Sequence, residues 1–312
     1  MSVIIGASNV DGSGSSLGLN SSNGITVSGN YQFDGVRAFD YNSNDGSQYS
    51  SLYLYTESWG ETYKEAYVNG HYEEATIDNV TDVSLINQSD LGYSALEVLG
   101  AKRGYIDTSG VDSDDSLFIG VESNSASWSN LFTINTGEGD DQLVMGNFGG
   151  TQWTEFDIDM GTGEDIVDIS ELSDALSSSQ TRQIDGGEGF DVLITNGDDV
   201  VEFSGFEVIH GSQTDQSLTV DSALIESNAQ SEMGLVIVDL DVELAGNLDY
   251  HVDAVDRAHH QYLEELNYDA DSFSQITVHI DDDDYTLLTN DADFASINQS
   301  NNNKPNAGFV VF

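Results

Sequence analysis

One pattern returns along the middle of this chain every 24 to 26 residues, and any fold has to accommodate it. Its unit is an apolar strand ending in isoleucine, a polar residue, a glycine turn, an aspartate and a second apolar strand. The copies are Ile134-Asn135-Thr136-Gly137-Glu138-Gly139-Asp140-Asp141-Gln142-Leu143-Val144, Ile158-Asp159-Met160-Gly161-Thr162-Gly163-Glu164-Asp165-Ile166-Val167-Asp168 and Ile184-Asp185-Gly186-Gly187-Glu188-Gly189-Phe190-Asp191-Val192-Leu193-Ile194. A fixed period of this size marks a repeat architecture. Weaker copies extend it both ways. Ile106 leads through Asp115, 26 residues before Asp141, to Leu117-Phe118-Ile119. Downstream, Ile209 leads to Leu218-Thr219-Val220, with Gln216 where the aspartate would stand, so a site needing that carboxylate fades at this end.

Each coil holds two strand signals, such as Leu131-Phe132-Thr133-Ile134 and Leu143-Val144-Met145, and a polar remainder such as Phe148 to Trp153. Two or three strands per turn is the geometry of a parallel β-helix. A single coil cannot bury its inner face, whereas stacked coils bury a continuous column. The recurring Ile, Leu and Val positions are expected to be ladders in that column, each worth roughly 1.5–3 kcal/mol. The expected fold is therefore mainly β: a right-handed parallel β-helix or β-roll-like solenoid over 75–225, a β-rich N-terminal cap over 1–74 and an α+β C-terminal cap over 226–312.

Charge narrows the partners. The chain of 312 residues carries 56 acidic and 7 basic residues, a net charge of -49. Self-repulsion on that scale opposes compaction unless cations offset it. Nucleic acid and anionic membranes both call for a basic face. Specific divalent-cation sites, a surface suited to salt, and disorder compete to explain the acidity. Disorder is the weakest, because 38% of residues are hydrophobic and 10% aromatic. There is no cysteine, hence no disulfide or thiolate metal site. Met1 to Ile5 lead into Gly6, Ser8, Asn9 and Asp11 without a basic or apolar region, so no ordinary signal peptide is expected. No apolar run approaches the roughly 20 residues of a membrane-spanning helix.

Flanking segments read as follows. Residues 1–30 fit weak strands or a loosely ordered arm. Aromatics alternate with polar residues in Ser51-Leu52-Tyr53-Leu54-Tyr55 and Tyr63-Lys64-Glu65-Ala66-Tyr67-Val68, with Trp59-Gly60 between, which reads as an antiparallel hairpin. Val83 to Ile86 and Ala95 to Leu99 read as the first coils. Leu235 to Leu240 reads as a strand. Val252, Val255, His259, Tyr262 and Leu266 fall at helical spacing. Ile276 to Ile280 and Tyr285 to Leu288 read as a hairpin around a solvated turn, Asp281 to Asp284. His259 and His260 point to different faces, and no metalloprotease motif is present; a surface helix with one half-buried histidine is expected.

The three glycine–aspartate turns resemble the nonapeptide of the RTX (repeats-in-toxin) calcium-binding proteins, Gly-Gly-x-Gly-x-Asp-x-apolar-x. Gly186 to Ile194 matches every defined position; the other two copies lack only the leading glycine, replaced by Thr136 and Met160. The resemblance covers about 115 residues. The physical logic stands beside it: calcium takes six to eight hard oxygens at about 2.3–2.6 Å, glycines let a turn adopt positive φ, and coils about 4.8 Å apart would stack Asp115, Asp141, Asp165 and Asp191. The resemblance implies that ions bind between successive turns, held by Gly137, Gly139, Asp141, Gly161, Gly163, Asp165, Gly187, Gly189, Asp191 and Asp115, with Ca2+ as the cofactor. It also implies export without an N-terminal signal, with Phe309-Val310-Val311-Phe312 either a secretion ending or a last strand. In one respect the chain departs from the family: each coil has one nonapeptide rather than two, which points to a wider helix with a single ion-lined edge or to turns that have lost the ion.

The function expected is that of a secreted structural or adhesive protein of the cell surface or extracellular matrix, partnered by calcium and by itself or a polysaccharide. The alternative is a carbohydrate-active β-helix protein: a binding module, lyase or epimerase. Basic residues suited to an acidic polysaccharide are scarce, Arg182 being the only one between Arg103 and Arg257, so no catalytic constellation is assigned.

Overall fold

The computed structural model describes residues 65–294 apart from short segments, chiefly 122–129, 148–153, 173–181 and 198–200, and, nearer the N-terminus, strands between Ile4 and Tyr55 through their pairing. Trp59-Gly60, the polar arc 148–153 and Phe309 to Phe312 lie outside the described residues. The chain forms two compact units, the first comprising Met1–Asp191 with Val200–Glu202, the second Val192–Asp199 with Phe203–Phe312.

The first unit is a β-solenoid with parallel coils of about 24 residues. The chain alternates between two parallel sheets, placing one strand in each per coil. In one sheet Val36–Phe39, Glu65–Gly70, Asp82–Asn87, Arg103–Asp107, Asn130–Glu138, Thr154–Gly163 and Arg182–Asp185 pair in succession. In the other, Gly24–Ser28, Ser51–Tyr55, Glu74–Asp78, Tyr93–Ala101, Asp114–Val121, Gln142–Asn147 and Ile166–Asp168 do so. Among the described residues of this unit, antiparallel pairing is confined to the N-terminal flank, as between Ile4–Ala7 and Val36–Phe39.

This arrangement corrects the hairpin expected over residues 51–68. Ser51–Tyr55 and Glu65–Gly70 belong to different sheets, each parallel to its neighbours. Period-two alternation reports only that one strand face is buried; it does not say which strand is the partner.

The core follows from register. Leu85, Ile106, Ile134, Ile158 and Ile184 are aligned on successive strands and at most 1% exposed. Opposite them run Ala75, Leu96, Leu117, Leu143 and Val167, also buried. A third ladder stacks Phe132 on Phe156 and ends on Arg182, itself 1% exposed. Residues between these positions face out: Tyr105, Thr133, Asp157 and Gln183 share one row.

In the second unit Val192–Thr195, Val208–Gly211, Leu235–Val238 and Asp283–Thr289 pair in parallel. Ser274–Ile280 and Asp249–Ala254 continue the sheet antiparallel, so the expected hairpin around Asp281 is present. Ser217–Val220 pairs with Asp241–Leu244, and helix Ser222–Asn228 follows the N-cap Asp221. The helix expected from Val252 spans only Arg257–Glu265. Val252 sits instead in a strand, opposite Ile276, and Asp256 caps the helix by accepting the N–H groups of Ala258 and His259. His259 and Leu263 form its buried face, while His260 is more exposed. Among the described residues no helix is long and apolar enough to cross a membrane.

Candidate metal centre

The turn glycines are what allow the coils to stack at the site. Gly161 has φ +99°, and a Cβ there would lie 1.9 Å from the carbonyl oxygen of Gly137; at Gly189 the same atom would lie 1.6 Å from the carbonyl oxygen of Gly163. No side chain fits, so the backbones of successive turns are in direct contact. Gly137, Gly161 and Gly187 form one column, and Gly139, Gly163 and Gly189 a second.

Beside these columns stand the aspartates. Asp115, Asp141, Asp165 and Asp191 are all 2% exposed or less. The N–H of Asp115 donates to Oδ1 of Asp141 at 2.7 Å, that of Asp141 to Oδ1 of Asp165 at 2.7 Å, and that of Asp165 to Oδ1 of Asp191 at 2.9 Å. Each of these carboxylates thus accepts from the turn before it. The second oxygens of Asp115, Asp141 and Asp165 are buried without a hydrogen-bond partner.

Burial dominates the electrostatics of the column. It pushes the Asp141 carboxyl up to about 7 and that of Asp165 up to about 6, against hydrogen bonds from backbone N–H groups that pull them down. Burial also raises Asp115, against the hydroxyls of Thr108, Ser94 and Ser113. Thr136 tempers Asp141 in the same way, although its hydroxyl is aimed at the carbonyl of Met160 at 2.6 Å.

The repeat spacing did bring Asp115, Asp141, Asp165 and Asp191 into one column, flanked by the six turn glycines. It did not reveal three further sets of residues. Ser94 and Ser113 donate hydroxyls to Oδ1 of Asp115 at 2.7 and 3.1 Å. Thr108 bridges to the carbonyl of Thr136. Asp114 and Asp140 form an exposed second column by accepting the N–H groups of Asp140 and Glu164. The 26-residue spacing from Asp114 to Asp140 could have exposed the last set. Ser94 falls off the period because the coil is shorter there: Ser94 pairs in register with Asp115, only 21 residues on.

The donor set is all oxygen, and buried carboxylate oxygens without a proton donor are what a hard divalent cation complements. The residues therefore fit calcium. Among the described residues no three acidic or histidine side chains converge as a metal cluster, so most ligands of such an ion would be backbone carbonyls. Among the described residues the histidines do not form a rival centre. His259 lies against Asp256, while His251 and His279 stack at 5.5 Å, each beside its own aspartate. Comparison with protein-family models, curated proteins and solved structures gave no match.

Proposed function

We propose that this chain is a calcium-binding structural or adhesive protein, secreted to the cell surface or extracellular matrix, that folds and self-assembles on binding the ion. The observation that carries this reading is the buried column. Asp141 and Asp165 each spend one oxygen on an N–H of the preceding turn and hold the other, buried and unpartnered, beside turns built of glycine. Asp141, Asp165 and Asp191 would supply carboxylate oxygens, and Gly137, Gly139, Gly161, Gly163, Gly187 and Gly189 the turn carbonyls. Bound calcium would supply positive charge that replaces lost hydration.

The net charge of -49 supports the coupling to folding. An ion that binds only the folded coils stabilises them in proportion to the logarithm of its concentration over its Kd, and it lowers the self-repulsion that keeps copies apart. The support for a structural role is a scaffold of continuous ladders carrying an acidic exterior. Calorimetric titration of the chelator-treated chain, with circular dichroism and size measurement in calcium or sodium, tests the reading. Heat of binding, a gain of β signal and association in calcium alone are expected. No heat and an unchanged spectrum contradict it.

A further inference from the structure

The aspartate column does not repeat perfectly: its first turn is built from serine where the others use glycine. Gly137 and Gly139 have φ values of +105° and +127°, Gly161 and Gly163 of +99° and +153°, and Gly187 and Gly189 of +100° and +147°. Among the described residues from Asp107 to Asp115, none has a positive φ. Ser109 and Ser113 stand beneath Gly137 and Gly139, their backbone atoms nearest to where Cβ atoms would be. The Ser113 carbonyl lies under Gly139 much as the Gly139 carbonyl lies under Gly163. Under Gly137, however, stand Cα and Cβ of Ser109, where the next turn places the carbonyl oxygen of Gly137 under Gly161, so the serine turn lacks one of the two stacked carbonyls.

The hydrogen bonds differ as well. Oδ1 of Asp115 accepts two hydroxyls, from Ser94 at 2.7 Å and Ser113 at 3.1 Å. Oδ1 of Asp141 and of Asp165 each accepts the backbone N–H of the preceding aspartate. The second oxygen of Asp115 is buried and unpartnered like those of Asp141 and Asp165, so side-chain chemistry alone does not separate the three. The backbone and the hydroxyls do.

Resting on the calcium reading above, we infer that cations occupy only the two gaps bounded by Asp141, Asp165 and Asp191, and that Asp115 is the cation-free end of the column, closed by Ser94 and Ser113. The column then has a fixed ion count, set by which turns carry paired glycines rather than by which carry an aspartate. Ser94 and Ser113 act as positioning residues that hold the terminal carboxylate under the first metal-bearing turn.

Native mass spectrometry and calorimetry of the full chain in calcium test this with Asp115→Asn, Asp141→Asn and Asp191→Asn. Asparagine keeps the Oδ1 acceptor and removes the charge, so each variant preserves the hydrogen bond that orders its turn. Wild type and Asp115→Asn are expected to bind two ions, with Kd values within about twofold of each other. Asp141→Asn and Asp191→Asn are each expected to bind one; if either fails to fold, the other carries the comparison. A third ion in wild type, or loss of an ion in Asp115→Asn, overturns this inference and leaves the calcium reading standing. No ion in wild type overturns both.

Discussion

Two columns of carboxylates climb the same turns one residue apart. The inner one contains Asp141 and Asp165, 1% and 0% exposed; the outer contains Asp114, Asp140 and Glu164, all exposed. Both cap backbone N–H groups, at similar lengths and in opposite directions. Asp140 donates its N–H to Asp114 in the coil before at 3.0 Å, while Asp141 donates to Asp165 in the coil after at 2.7 Å. Each turn is clamped from both sides by anions. Both columns are carboxylates that accept backbone N–H groups, so what most distinguishes them is access to water. An exposed carboxylate keeps its hydration; a buried one needs a proton, more donors or a cation. Charge count alone would have treated the two columns as equal.

The comparison can be broken most forcefully at the glycines that bring the inner column together. Gly161→Ala would drive a Cβ into the Gly137 carbonyl, and a loss of more than about 3 kcal/mol in chemical denaturation is expected. Gly110→Ala, whose nearest neighbour would be Gln88 Cγ at 3.5 Å, should change stability by less than about 1 kcal/mol. Next in size is the inner acceptor itself. Asp165→Ala strands the buried N–H of Asp141, at a cost of about 1–3 kcal/mol, whereas Asp165→Asn in chelator should cost much less because Oδ1 remains.

Acid sharpens the contrast. The folded-state values of Asp141 and Asp165, about 7 and about 6, lie above the ordinary 3.8, so the native chain holds those protons more tightly than the unfolded chain. In chelator their contribution to stability is largest below about pH 4 and is lost as pH rises through about 6 to 7. Calcium competes with the same protons, so stabilisation by the ion should run the other way, growing with pH. Denaturation midpoints at acid and neutral pH, with and without calcium, report both slopes, and a double Asp141→Asn, Asp165→Asn variant should flatten them. The smallest effect belongs to the outer column: Asp140→Asn should stay within about 0.5 kcal/mol, measured in the same denaturation series.

Much of this arrangement was legible in the sequence, because ladders are periodic. Ile134, Ile158 and Ile184 announced the core column, and the aspartates announced theirs. Local pattern failed where partners are distant. The alternating strands near Tyr53 and Tyr67 looked like a hairpin, since pairing partners in a solenoid come from neighbouring coils. The helix after Val252 began late because that residue pairs with Ile276 across a sheet, although Asp256 carried a readable cap signal. That the carboxylates are buried rather than lining a wet edge was also hidden: exposure depends on how tightly glycine turns stack, and only coordinates show that contact.

The most direct test is anomalous diffraction from crystals grown in calcium. The account predicts ion density against the second carboxylate oxygens of Asp141 and Asp165, among the glycine turns. Density confined to the outer column of Asp114, Asp140 and Glu164, or none at either column, would contradict it.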